Sequence, residues 1–261
     1  MRRTFFIVGP TATGKSELAA DVAHEIGAEI VSADAFQIYR GLDVLTAKPD
    51  GSTRAKAPHH LIGTTPLRDE MNAEKYRRAA SRAIDEINSR RELAIIVGGS
   101  GLYIKALTHG LAPLPEADPN LREKLNAMSL DDLHSQLVEV DPETARKIDL
   151  QNRRRVVRAL EICSLTGKPV SAQRLYEGAS HSEAATGVFV FRDRQELYER
   201  INQRVEMMFE RGVIEEVRTA GETSQTASQM IGLREIRELL AGKKTIPQCI
   251  AEIQQATRRY A

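Results

Sequence analysis

The sequence predicts an α/β protein with a parallel sheet flanked by helices, interrupted by an all-helical insertion, and three observations carry that reading. Short apolar runs at Thr4–Val8, Glu29–Asp34 and Leu93–Val97 alternate with helix-like patterns, as expected of parallel strands joined by crossover helices. The first run opens directly into Gly9-Pro10-Thr11-Ala12-Thr13-Gly14-Lys15-Ser16, which fits G-x-x-x-x-G-K-[ST] between a strand and a helix. From Asp118 to about Tyr176 strand patterns vanish and helix start signals recur. Together these give a P-loop NTPase-like core over residues 1–112 and 187–261, with a helical insertion domain over 113–186.

A chain of 261 residues is long enough for a core domain carrying a smaller insertion. At 41% hydrophobic and 28% charged, it has the composition of a soluble globular protein. The net charge of +1 excludes a chain-wide basic surface, so any nucleic-acid binding must come from a local patch. Cys163 and Cys249 stand alone without CxxC spacing, which argues against a disulfide framework or a zinc site and for the reducing cytoplasm. Arg2 and Arg3 precede an apolar run that breaks after five residues at Gly9-Pro10, too short for a signal peptide or a membrane span.

In the glycine loop, Gly9 and Gly14 let the backbone turn its N–H groups around a phosphate, and the following helix adds its positive dipole end. Residues Gly9 to Ser16 are therefore the expected diphosphate cradle, with Lys15 as a point charge and Ser16 as the Mg²⁺ ligand. The helix continues through Leu18, Ala19, Val22, Ala23 and Ile26 and closes at Gly27. The second strand ends near Asp34, at the strand edge where open α/β sheets place ligands; the alternative is a turn or N-cap residue. Ala35 to Pro49 reads as a polar loop or short helix lining a site. Adjacent His59 and His60 point to opposite faces of a strand, which favours structural roles over a metal pair.

Met71 to Arg90 is an amphipathic helix with Tyr76, Ala80, Ala83, Ile84 and Ile87 on one face. Leu93–Val97 is a buried-type strand ending in Gly98-Gly99-Ser100-Gly101, where the glycines permit close approach of a ligand and Ser100 can donate to it. P-loop hydrolases place a metal-binding Asp at such a strand end, and here stands Gly98, which argues against ATP hydrolysis. In the insertion, Asp118-Pro119, Ser129, Asp141-Pro142 and Asn152 each mark a helix start. The last of these helices carries Arg153, Arg154, Arg155 and Arg158 against a single nearby acid, Glu161. Arginines there oppose the helix dipole, so either a polyanion or salt bridges to neighbouring helices must account for them.

Residues 178–186 are small and polar, a connection; Val188–Phe191 returns as a strand of the same sheet. Glu196 to Arg211 is a helix with Leu197, Ile201, Val205, Met208 and Phe209 as its stripe, interrupted at Gly212. Two further helices run to Ala261, the last ending on Arg258-Arg259-Tyr260-Ala261 without a stop signal, as though cut.

In combination, several stretches resemble the tRNA dimethylallyltransferases, also called tRNA isopentenyltransferases. They are Gly9–Ser16, Ser32–Asp34 with Gln37–Asp43, Thr46–Pro49, Pro58–Ile62, Val97–Tyr103, Pro113–Pro115, Arg153–Glu161, Leu197–Val205 and Ile231–Glu235. The resemblance implies transfer of a dimethylallyl group from its diphosphate to N6 of the adenine 3′ of the tRNA anticodon, with Mg²⁺ as cofactor. It implies Asp34 as general base, with Ser100, Arg122 and Lys15 also catalytic. It places tRNA contacts on Asp34, Ala35, Phe36 and Gln37, on Ser100, Arg122, Arg154, Arg155 and Arg158, and on Gly232, Leu233 and Arg234. The insertion would grip the anticodon stem-loop. The chain departs from the family pattern at Ala35, Leu45, Gly63 and Leu233, and it has no Trp where relatives continue into a basic, aromatic segment.

The chemistry is consistent. An allylic diphosphate leaves with charge building on its oxygens, which the loop, Lys15, Mg²⁺ and Arg122 would stabilise, and a weakly nucleophilic adenine amine needs a carboxylate to take its proton. Two rivals remain: a P-loop small-molecule kinase with Asp34 as base, and a catalytically inert tRNA-binding relative. No interface signal stands out, and a monomer free of the membrane is expected.

Overall fold

Five parallel strands organise the computed structural model, which describes residues 3–112, 114–173 and 185–261. Strands β1 (Thr4–Val8), β2 (Glu29–Ser32), β3 (His59–His60), β4 (Ala94–Gly98) and β5 (Gly187–Phe189) lie in the order β3-β2-β4-β1-β5. Helices α1 (Lys15–Ile26), α2 (Gly51–Ala55), α3 (Ala73–Ser89) and α4 (Gly101–His109) precede a helical segment. That segment comprises α5 (Pro119–Ala127), α6 (Leu130–Val140), α7 (Pro142–Lys147) and α8 (Arg153–Thr166). After it come α9 (Arg194–Glu210), α10 (Val213–Thr219), α11 (Leu233–Leu240) and α12 (Ile246–Tyr260). The chain divides into two compact units, Met1–Thr108 with Ser182–Ala261, and His109–His181. Among the described residues no helix is long and apolar enough to cross a membrane.

The strands alternate their side chains between two covered faces, as a parallel sheet buried on both sides requires. Ile7, Ile30, Ile95 and Val97 meet Ala19, Ala20 and Ala23 of α1 on one face. Phe6, Val31 and Ile96 join Tyr76, Ala80, Ile84 and Ile87 of α3 and apolar residues of α9 to α12 on the other. The pairing of β1 with β4 runs from Thr4↔Ala94 to Val8↔Gly98, so the glycine loop and Gly98–Ser100 leave the sheet at one edge.

Three sequence expectations change. In α1 the buried face is Ala19, Ala20 and Ala23, while Leu18 and Ile26 stay 43% and 57% exposed. Small side chains let α1 lie close on the sheet, and the larger ones are turned outward. The segment 35–49 is a loop, as expected, but one packed into the core and not only lining a site: Ile38, Tyr39, Leu42 and Leu45 are buried. Its polar groups are matched internally, with the buried Lys48 Nζ donating to Tyr39 O at 2.5 Å, Gly41 O at 2.9 Å and Asp43 Oδ1 at 2.5 Å, and the Glu216 carboxylate accepting from Val44 N and Leu45 N, both at 2.9 Å. Helices α2 and α10, too short to give a periodic signal, were not anticipated.

Within the helical unit, Asp118, Ser129, Asp141 and Asn152 each cap the helix that follows, accepting from its third residue's N–H. Leu133, Leu137, Val156 and Leu160 form its own core. The expected connection at 178–186 lies outside the described residues except for its last two, and Thr186 O accepts from Phe6 N at 2.9 Å as the chain enters β5.

Candidate active site

The glycine loop is an anion cradle with its donors unused. Gly14 at φ 88° and Ala12 at φ 64° take left-handed backbone, the turn sequence that makes a nest of inward N–H groups. Among the described residues, no N–H from Thr11 to Ser16 has a hydrogen-bond partner. Several of the loop's oxygens, by contrast, are taken. Lys15 Nζ and Thr13 Oγ1 donate to Pro10 O at 2.8 Å and 3.0 Å.

Three arginines that sequence reasoning passed over hold three more. Arg192 Nε donates to Thr13 O at 3.2 Å, Arg200 Nε to Ala12 O at 2.8 Å, and Arg204 Nη1 to Thr11 Oγ1 at 2.8 Å. Arg200 and Arg204 stand one turn apart on α9, and Arg192 follows β5 at the same sheet edge as the loop. A basic residue just past a strand end, followed by an i, i+4 arginine pair, was the available signal. The Nε of Arg204 is buried and has no partner. Burial lowers the pKa of both Arg204 and Lys15, and Asp34 acts the other way on each.

Asp34 sits two residues beyond β2, at the edge that carries the loop. Its Oδ1 accepts from Phe36 N at 2.9 Å and Gln37 N at 3.1 Å, so it is a turn residue as well as a candidate base. Its Oδ2 makes no hydrogen bond among the described residues and is free to take a proton. Tyr76 and Tyr103 stack beside it with centroids 3.9 Å apart, and Tyr76 Oη donates to Ser32 O at 3.1 Å. Burial first, then a neighbouring tyrosine (Tyr103 for Tyr76, Tyr39 for Tyr103) and then Asp34 push both phenols well above the usual range. Ser100 Oγ accepts from Ala35 N at 2.9 Å, and Gln37 Nε2 is held by Thr46 O and Ala47 O at 3.3 Å and 3.1 Å.

The glycines at the end of β4 are required by close packing within the sheet. A Cβ on Gly98 would stand 2.2 Å from Ala33 O, and one on Gly99 would stand 2.7 Å from Gly9 O. His59 and His60 are structural: His59 Nδ1 pairs with Ala57 O at 2.7 Å and His60 Nε2 with Glu29 Oε2 at 2.5 Å.

The α/β unit thus brings Lys15, Asp34 and Ser100 together. Of the segment Gly232–Arg234, only Arg234 is available to a partner, with 75% of its side chain exposed beside Glu235. Leu233 is 0% exposed, and a Cβ on Gly232 would press on Leu45 at 2.9 Å, so both pack the core instead of presenting a surface. In the helical unit, Arg122 and Arg158 pair with Glu161, itself 0% exposed, at 3.0 Å and 2.5 Å, and Arg158 also donates to Pro115 O at 2.8 Å. Arg153 caps the end of α5 through the oxygens of Leu125, Asn126 and Met128. Salt bridges and caps therefore account for these three, while Arg154 and Arg155 are exposed, with no side-chain partner among the described residues.

The model of the IPP transferase family matches residues 37–261. The chain belongs to that family. It is 45% identical over 97% of its length to the tRNA dimethylallyltransferase 1 of Citrifermentans bemidjiense, covering 84% of that protein. It is 40% identical over 99% of its length to the tRNA dimethylallyltransferase of Akkermansia muciniphila, covering 87% of it. The crystal structure of a tRNA isopentenylpyrophosphate transferase from Bacillus halodurans aligns with a TM-score of 0.67 at 33% identity, over 100% of this chain and 84% of the other. Family membership and the parallel sheet together give the core its P-loop NTPase-like fold.

Proposed function

We propose that this protein transfers a dimethylallyl group from dimethylallyl diphosphate to the exocyclic N6 of the adenine just 3′ of the anticodon in tRNA, releasing diphosphate. One observation carries the reading within the family: the unused N–H groups of the loop and a carboxylate with a free oxygen share one end of the sheet. The allylic C–O bond breaks as the N6–C bond forms. The leaving diphosphate takes its charge into the N–H groups of residues 11–16, Lys15 and the buried Arg204, donors already fixed in place before the reaction. The amine proton passes to Asp34, whose Oδ1 is locked by two backbone bonds while Oδ2 accepts.

The donor set fits Mg²⁺, because the Ser16 hydroxyl has no other hydrogen bond among the described residues, and this ion binds through few protein oxygens together with substrate phosphates. When bound there, it would neutralise charge on the diphosphate. Gly98, the last residue of β4, stands where P-loop hydrolases place a metal-binding Asp, which speaks against ATP hydrolysis. Arg154, Arg155 and Arg234 remain as tRNA phosphate contacts.

The deciding assay incubates the protein with undermodified tRNA, radiolabelled dimethylallyl diphosphate and Mg²⁺, with labelled ATP in a parallel arm. Label in tRNA supports the reading, phosphate transfer from ATP favours a kinase, and tRNA binding with no label favours an inert relative. Asp34→Asn is expected to lower turnover at least about 100-fold, in the range for loss of a general base. Its tRNA affinity, measured by gel shift, should hold; lost binding with normal turnover contradicts the role.

A further inference from the structure

Helix α11 and the turn that follows it gather cations for which neither packing nor the scheme above has a use. A cleft of about 360 Å³ opens there, lined by Ser228, Arg234, Arg237, Glu238, Ala241 and Lys243. Arg234 and Arg237 stand three positions apart on one helix face, an arrangement of like charges that works against the helix, and both side chains are exposed. The two acids beside them are already matched. Glu235 accepts from Gly232 N at 3.1 Å through Oε2 and from Arg234 Nη2 at 2.7 Å through Oε1. Glu238 pairs with Lys244 Nζ at 2.7 Å, and Lys244 also holds Glu252.

Arg237 has no carboxylate partner among the described residues. Its Nη1 and Nη2 both donate to Thr223 Oγ1 at 3.2 Å. Thr223 Oγ1 lies 2.8 Å from Ser228 Oγ, which itself donates to Ser224 O at 2.8 Å. With the one Ser228 proton committed to Ser224, Thr223 donates to Ser228 and accepts from the guanidinium. Neutral hydroxyls therefore fix Arg237 in place and leave its charge whole. Lys243, just past the left-handed turn at Gly242 (φ 71°), makes no side-chain hydrogen bond or ion pair among the described residues and meets Glu238 only through space. A phosphodiester has two free oxygens, which the planar fork of an arginine can meet while a lysine adds a point charge. The cleft is open and its lining has no aromatic face to stack a base, so it suits a stretch of polymer backbone better than an enclosed nucleotide. We propose that this cleft holds a backbone phosphate of tRNA, gripped by Arg237 and Lys243 beside Arg234. This rests on the reading of tRNA as the substrate.

Fluorescence anisotropy with labelled, undermodified tRNA gives Kd across a salt series for the wild-type chain and two double variants. One removes both charges, Arg237→Gln with Lys243→Gln, and the other keeps them, Arg237→Lys with Lys243→Arg. Tm and the KM for dimethylallyl diphosphate are measured alongside. The charge-removing pair is expected to bind tRNA about tenfold more weakly at low salt, with the slope of log affinity against log salt lower by about 1, the loss of one phosphate contact, and with Tm as in wild type. The charge-keeping pair should retain the wild-type slope. An unchanged Kd and slope in the charge-removing pair overturns the proposal, and so does a lowered slope in the charge-keeping pair. Weaker binding with an unchanged slope and a lower Tm overturns it as well, since that marks a structural brace. A higher KM for dimethylallyl diphosphate with tRNA affinity intact assigns the cleft to a small phosphate compound and overturns it too. A wild-type chain that binds tRNA but transfers no prenyl group defeats the transfer reading alone, because the slope still decides the cleft; one that binds no tRNA overturns both.

Discussion

At Asp34 two functions are divided between two atoms. Oδ1 closes a turn, and on the proposed reading Oδ2 is left to chemistry, so the turn that could have explained the residue away would also aim it. Arg204 shows the opposite economy, a buried guanidinium nitrogen with nothing to bond. An unmatched buried donor costs about 1–3 kcal/mol in the resting protein, a cost an arriving phosphate oxygen removes. Arg204→Met, similar in volume and uncharged, should therefore raise Tm by a few degrees, on a scale of roughly 2–4 °C per kcal/mol for a chain of this size. The same variant should raise KM for dimethylallyl diphosphate about tenfold, the equivalent of roughly 1.4 kcal/mol of lost binding. Calorimetry and initial rates check both, and a Tm that falls with KM unchanged would show the arginine to be only a brace for Thr11.

Helix ends depend on one local residue each, and the four caps of the helical unit were readable for that reason. Asp141 is the most committed of them: it is buried, caps α7 through Thr144 N at 3.0 Å, and takes Ser171 N at 2.9 Å and Ser171 Oγ at 2.6 Å. Burial alone would push this carboxyl up, but the bonds from Ser171 and Thr144 outweigh it and draw the pKa down from 3.8 to about 2. Its folded value is the lower one, so its contribution is complete above pH 3.8 and is lost as pH falls toward 2. Asp141→Asn should destabilise the helical unit by about 1–3 kcal/mol at neutral pH. The gap from wild type should shrink in acid, as circular dichroism melts at pH 7 and pH 2.5 would reveal. What stayed illegible at this scale depends on distant partners. Leu18 and Ile26 repeat as a buried stripe should, yet the sheet selects Ala19, Ala20 and Ala23. The task of Arg192, Arg200 and Arg204 lies some 180 to 190 positions away along the chain.

For the whole molecule, a net charge of +1 leaves RNA binding to a few residues in particular places. Counting arginines on α8 overstates that surface, since Arg153 is spent on the end of α5 and Arg158 on Glu161, which also holds Arg122 of α5. Replacing Arg154 and Arg155 together with Ala should weaken tRNA binding and lower the slope of log affinity against log salt by about 1 to 2, the loss of two phosphate contacts. An unchanged slope removes α8 from the interface. The parallel α/β class, the loop and the helical insertion were legible, because each has a period or a motif of its own, whereas the order of the strands has none. Leu45, Gly63 and Leu233 gave no such guidance: Leu45 and Leu233 are packing residues, and Gly63 is a turn at φ 62°.

The contact at Gly98 also bears on how such a protein can change over generations. With Ala33 O only 2.2 Å from where its Cβ would lie, the position cannot host aspartate unless β2 and β4 part. A single substitution at Gly98 therefore cannot supply the strand-end carboxylate that P-loop hydrolases use, because two neighbouring strands leave it no room.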